Sequence, residues 1–242
     1  MTRARMITAY GRLAGSTSEF GGPIRHGENP ASAVVRLFAE LQGRSVAVSA
    51  VRDVRAIVTS ASHEDRIVFD VVPAPGVPEI VPEPVEGDGA MPKGQRFAAY
   101  GFATDPGGRV LLAEIARGYP GAGRWHLPGG GTDIGEQPGE ALLRELFEET
   151  GQQGEITGLL GVTHRRSPGA IGPEGYPINW HAVRALYRVQ VPVPSPPTVT
   201  EAAGGSTATA AWFAPEELPG LPTTEVVQWA VSLPQRRSDG NR

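Results

Sequence analysis

The sequence predicts an α+β or α/β/α layered fold, and three observations lead there. Strand-length apolar runs recur between turn signals along most of the chain. One segment, Pro138–Thr150, has helical periodicity with a stop and a start of its own. The 242 residues include 32 glycines and 23 prolines, which implies many loops and argues against a helical bundle.

Taken in order, residues 1–72 alternate short apolar runs with turns. Residues 73–93 hold Pro73, Pro75, Pro78, Pro82, Pro84 and Pro92 among acids and glycines, and read as a semi-rigid linker because proline fixes φ. Beyond it, Phe97–Thr104 and Arg109–Ile115 are expected as strands around the turn Asp105-Pro106-Gly107-Gly108. After a glycine-rich loop comes the helix. Pro138 suits its first turn and Gly151 its left-handed C-terminal position. Further strands are expected at Ile156–Thr163, His181–Val191 and Ala208–Phe213, and a last helix from Pro215–Leu218 toward Ala230–Ser232.

Composition excludes several functions. The chain has no cysteine, which removes disulfide scaffolds, thiolate metal sites and a cysteine nucleophile. A net charge of −4 disfavours a broad nucleic-acid footprint. No run approaches a membrane span, and Met1–Ser18 lacks the apolar stretch of a secretory signal. We therefore expect a soluble, cytoplasmic protein without nucleic-acid or membrane partners.

The chemistry concentrates on the helix. At 100° per residue, Leu142, Leu143, Leu146, Phe147 and Thr150 are expected on the packed side, with Glu145, Glu148 and Glu149 gathered on the other. Glu145 and Glu149 form an i,i+4 like-charge pair, and two of the three acids stand where the helix dipole favours cations. A hard divalent cation would reverse that repulsion, because Mg²⁺ prefers carboxylate, water and phosphate oxygens.

The spacing is specific. Gly130, five residues, Glu136, seven residues, then Arg144-Glu145-Leu146-Phe147-Glu148-Glu149-Thr150-Gly151 resembles the Nudix hydrolase signature. Only Gln152 departs, where an aliphatic residue is usual. Trp125-His126-Leu127-Pro128-Gly129 and Ala211–Leu218 also look like family features.

The resemblance implies an α/β/α Nudix sandwich with a mixed sheet over 94–235, and a tail at 236–242. It also implies Mg²⁺- or Mn²⁺-dependent hydrolysis of a nucleoside diphosphate linked to another moiety. Gly129, Glu145, Glu148, Glu149 and Glu201 are then the expected metal ligands, with Glu174 an alternative to Glu201. Glu145, Arg144 and Glu136 are expected to serve catalysis. Arg124, Trp125, His126, Gly130, Gly131 and Arg165 are expected at the nucleotide. His164 and His181 are further candidates for touching substrate. The rival reading is a regulator or scaffold that binds a nucleotide or metabolite without turning it over.

Sliding the chain against itself by 108 residues gives a second, broken copy. Between Gly27–Gly43 and Gly135–Gly151, Gly27, Glu28, Pro30, Ala33, Arg36, Glu40 and Gly43 are identical to their counterparts. Leu37 and Leu41 stand where Glu145 and Glu149 do. Residues 1–72 are thus expected to be a degenerate, non-catalytic Nudix-like domain with its first strands missing or very short. It would carry no metal, its two leucines would face apolar surroundings, and it offers a surface for homodimerisation.

Overall fold

A computed structural model of the chain describes residues 4–75, 91–172, 175–200 and 205–233. Most of the linker expected at 73–93, together with Glu174, Glu201 and the tail, lies outside the described residues.

Residues 4–73 form β1 (Ala4–Leu13), β2 (Phe20–Pro23), helix α1 (Pro30–Gln42), β3 (Val46–Val58) and β4 (Ser62–Pro73). Asn29 caps α1 by accepting the N–H of Ala31 at 2.8 Å, Pro30 occupies its first turn, and Gly43 ends it at φ +60°. The strands pair in the order β2-β1-β4-β3, with β1 and β4 parallel. While β2 has only four residues, the expectation of missing or very short first strands fails for β1, which has ten. It is centrally placed, and Met6 through Gly11 alternate too little for the sequence to mark it as a strand with one wet face.

The rest supplies β5 (Lys93–Thr104), β6 (Val110–Ile115), β7 (Trp125–His126), β8 (Gly129–Gly131) and helix α2 (Pro138–Thr150). After α2 come β9 (Glu155–Ile171), β10 (Pro177–Gln190), β11 (Thr207–Phe213) and helix α3 (Glu225–Ser232). The sheet runs β11-β6-β5-β10-β9, with β7 on β6 and β8 on β5. Mixed sheets with a few helices make this an α+β chain.

Two compact units emerge from the packing. One comprises Met1–Tyr100, Gly130–Leu142 and Gly158–Tyr187; the other comprises Gly101–Gly129, Leu143–Thr157 and Arg188–Arg242. The first buries Ala33, Val34, Phe38, Ile67, Val68, Phe97 and Val183. Within the second, Leu111, Leu112, Leu127, Leu146 and Val189 are buried.

The two helices share a place in their sheets. Strands β2-β1-β4-β3 around α1 follow the same order and chain sequence as β8-β5-β10-β9 around α2. Counterparts of β6, β7 and β11 are absent among the described residues of 4–75. Of the two leucines expected against apolar surroundings, Leu37 is buried at 6% exposure, but Leu41 is 64% exposed. Position 41 is the last residue but one of α1, beyond the stretch that buries Ala33, Val34, Leu37 and Phe38.

Among the described residues no helix is long and apolar enough to cross a membrane.

Candidate active site

Helix α2 is built from both ends. Glu140 reaches back to accept the N–H of Gln137 at 3.0 Å, which is half of a capping box. Gly151 closes the helix at φ +69°, donating its N–H to the carbonyl of Phe147 at 2.8 Å. Past it, the chain returns to the helix end: the N–H groups of Thr198 and Thr200 reach the carbonyls of Thr150 (3.0 Å) and Glu148 (2.8 Å). The carbonyls of Phe147, Glu148 and Thr150 therefore have backbone donors as partners.

Gln152 is almost fully buried and polar, yet satisfied. Its Oε1 accepts the N–H of Ser195 at 2.9 Å, and its Nε2 donates to Ser195 Oγ at 3.0 Å and to the Thr150 carbonyl at 3.1 Å. The departure from the usual aliphatic residue anchors the 195–200 segment.

The helix faces are turned relative to the expectation. Ala141, Leu142, Leu146 and Thr150 are fully buried, but Phe147 is 47% exposed and Glu149 only 5%. At 100° per residue Glu149 falls within about 20° of Leu142, whereas Phe147 lies about 140° away. The packed side is thus centred between Leu142 and Glu149, and includes an acid. Burying a carboxylate is costly unless its oxygens find donors. Glu149 has them: Oε2 accepts the N–H of Gly129 at 2.8 Å, and Oε1 accepts the hydroxyl of Thr207 at 2.7 Å. Gly129 has φ +136°, a backbone that an L side chain would strain.

Arg144 spans the other two acids. Its Nη1 donates to Glu145 Oε1 at 2.9 Å and to Glu148 Oε2 at 3.2 Å. Glu145 is mostly buried, and Glu148 is half-exposed. This unit therefore holds three carboxylates on consecutive turns of one helix and a positive-φ glycine beside the deepest of them. All are hard oxygen donors, the chemistry that Mg²⁺ and Mn²⁺ select. Among the described residues no three such groups converge as a preformed metal cage.

The remaining expected site residues divide. Trp125 stacks edge-to-face on Phe213 at 4.7 Å and exchanges backbone bonds with Pro222 and Thr224. His126 Nδ1 lies 2.6 Å from Thr224 Oγ1. Arg124 is exposed in the preceding loop. In the other unit, Glu136 Oε2 accepts the N–H of Asp133 at 2.9 Å, and Gly131 is buried with the Arg96 guanidinium where a Cβ would stand. Gly130 is half-buried, and Arg165 is exposed on β9.

His181, a candidate for touching substrate, lies in the interior. It is fully buried, and its Nδ1 accepts the N–H of Gly27 at 3.0 Å. Burial, with His164, His26 and Arg166 nearby, pushes its pKa down to about 4. Sequence reasoning missed Thr207, Arg5, His63, Asp65 and the side chain of Gln137. Of these, only His63 left a trace, through the correspondence of His63–Val71 with His181–Val189.

Comparison with known proteins agrees with this box. The NUDIX domain model matches residues 94–233. The chain belongs to the Nudix family. Human diphosphoinositol polyphosphate phosphohydrolase 3-alpha is 43% identical over 68 residues, covering 28% of this Nudix chain and 40% of that protein. The mouse diphosphoinositol polyphosphate phosphohydrolase 2 is 40% identical over 68 residues, 28% of this chain and 36% of that one. The chain thus spans less than half the length of the curated relatives it matches. A solved MutT Nudix hydrolase from Burkholderia pseudomallei is 30% identical with a TM-score of 0.43, covering 57% of this chain and 95% of that one.

Proposed function

We propose that this Nudix chain is a divalent-metal-dependent pyrophosphohydrolase acting on a nucleoside diphosphate linked to another moiety. The observation that carries the reading is Glu149, a carboxylate kept buried on the apolar side of α2 by the Gly129 N–H and the Thr207 hydroxyl. A helix that needed only packing would place an apolar side chain there.

Glu145, Glu148, Glu149 and the Gly129 carbonyl are the residues that would hold Mg²⁺ or Mn²⁺. When bound, such an ion neutralises charge on the phosphoryl oxygens and the leaving group. Glu145 is the group that orients and deprotonates the attacking water. The water oxygen bonds to phosphorus, the P–O anhydride bond breaks, and the departing phosphate keeps the electron pair. Arg144 holds Glu145 and Glu148 apart from each other's charge, and Glu136 fixes the turn before the helix. Arg124, Trp125, His126, Gly130, Gly131 and Arg165 are the groups proposed to meet the substrate.

A diphosphoinositol polyphosphate is the second substrate reading, favoured by the names of the relatives matched over 68 residues. It shares the scissile phosphoanhydride.

The test is a panel of nucleoside triphosphates, dinucleotides, nucleotide sugars, ADP-ribose and diphosphoinositol polyphosphates, each with Mg²⁺ or Mn²⁺ and in ¹⁸O-water. Metal-dependent cleavage with ¹⁸O in one phosphate product is expected. Tight binding without turnover across the panel would instead favour a non-catalytic regulator.

A further inference from the structure

We infer that residues 4–73 act as a built-in clamp that sets the loop between β8 and α2, with Arg5, His63 and the backbone of Ala56 as its contacts. The clamp's functional sense rests on the pyrophosphohydrolase reading; its structural sense does not.

The loop Thr132–Gln137 leads from the glycine strand into the helix that carries the three acids. It is fastened at three points. Arg5 donates through Nη1 to the carbonyl of Thr132 at 2.6 Å and through Nη2 to its hydroxyl. The N–H of Gly135 donates to His63 Nδ1 at 2.9 Å. The Gln137 amide meets the backbone of Ala56 twice, accepting from its N–H at 2.8 Å and donating to its carbonyl at 2.9 Å.

Two of these points are joined. Because His63 Nδ1 accepts, its Nε2 carries the proton and donates to Asp65 Oδ1 at 3.0 Å. Asp65 Oδ2 accepts from Arg5 Nε at 2.9 Å. A continuous hydrogen-bonded chain therefore runs from Thr132 through Arg5, Asp65 and His63 to Gly135, and the side chains of Asp65 and His63 are fully buried. Between its ends Asp133 and Ile134 are exposed. Side chains shielded from water and fully paired specify one geometry.

A matching contact in the opposite direction shows what is special here. Gly27, the counterpart of Gly135, donates to His181 Nδ1 at 3.0 Å. That histidine has Gln95 Nε2 within 3.0 Å of its Nδ1, but no acid two residues on, since Val183 stands where the first half has Asp65, and among the described residues its Nε2 has no hydrogen-bond partner. Only the contact aimed at the loop of the acid-bearing helix has been extended to Asp65 and Arg5. Packing alone would not require that difference.

Full-length variants decide it by amide hydrogen exchange of residues 133–137 and by Mn²⁺ titration. His63→Ala and Gln137→Ala are expected to speed loop exchange by about tenfold or more, and to weaken Mn²⁺ binding by about tenfold through misplacement of the loop. His63→Asn keeps an acceptor near the Nδ1 position and is expected to restore both. Ile67→Val, a destabilised core control on the same strand, is expected to leave both at wild-type values. Unchanged loop exchange in His63→Ala and Gln137→Ala, or an equal rise in Ile67→Val, overturns the clamp. Faster exchange with unaltered Mn²⁺ affinity overturns its positioning role. Should His63→Ala fail to fold, Gln137→Ala and His63→Asn carry the same decision. A wild type that binds no Mn²⁺ refutes the proposed function instead, and the exchange result still decides the clamp.

Discussion

Helices α1 and α2 keep the same supporting contacts and differ in the residues proposed for chemistry. Glu28 accepts the N–H of Arg25 at 2.8 Å, as Glu136 accepts that of Asp133 at 2.9 Å. Arg36 pairs with Glu40 at 3.1 Å, as Arg144 pairs with Glu148 at 3.2 Å. Both helices end on a left-handed glycine. At the two remaining acidic positions the first helix has leucines. The matched residues thus fall into two sets: one that shapes the turn and helix in both segments, and one, proposed here for metal binding, that only the second segment carries. Glu136, Arg144 and Glu148 share the first set's contacts. Glu145 and Glu149 belong to the second, although Glu145 also pairs with Arg144 and Glu149 also holds the Gly129 N–H and the Thr207 hydroxyl.

The comparison can be broken at its leucines. Leu37→Glu puts a carboxylate at a buried position with no donor arranged for it, and should destabilise the fold by about 4 kcal/mol or more in urea unfolding. No gain of metal binding should accompany it. A stable variant with a new Mn²⁺ site would show that the first half lost its ligands and nothing else.

The acids give the next effect. Glu149→Gln should lower the rate by on the order of 10²-fold or more, since the metal contributes several kcal/mol to such chemistry. Glu148→Gln should cost less, because its counterpart Glu40 keeps the same arginine contact where leucines replace the other two acids. Equal losses in steady-state assays would erase the division into two sets.

The buried histidines extend the comparison to pH. His181 has its folded pKa depressed to about 4 from an ordinary 6.5, so the unfolded chain binds the extra proton first as pH falls. Its contribution is fully present above pH 6.5 and is lost progressively toward pH 4. Denaturant titrations should show a decline of about 2 kcal/mol between pH 7 and pH 5. His181→Gln should flatten that slope.

The smallest expected effect is Leu41→Glu, exposed at the end of α1, which should change stability by less than about 0.5 kcal/mol. Leu37 and Leu41 together are therefore not an equivalent pair.

The sequence made the ends of α2 legible to the residue, because a proline and a glycine mark them, but not its packed face, where Phe147 is exposed and Glu149 buried. Strands β5, β6, β10 and β11 were readable for the same reason of local patterning. The burial of Glu149 was not, because it depends on donors from Gly129 and Thr207, far off in sequence. Nor was β1, whose pairing with β4 is parallel and non-local. The roles of Arg5 and His63 were invisible: an exposed-looking arginine and a histidine acquire meaning only when Thr132 and Gly135 arrive beside them.

The reciprocal glycine–histidine contacts also constrain how the chain folds. They close separations of 72 and 154 residues, so each loop acquires its anchor only after strands remote in sequence have been assembled. Local helices gain nothing from these bonds early on, and loop-closure entropy is spent before they reward it. Refolding should accordingly be slow for the chain's size. The helix that carries the acids should form ahead of its loop, and the loop should settle as one of the last events on the route to the native state.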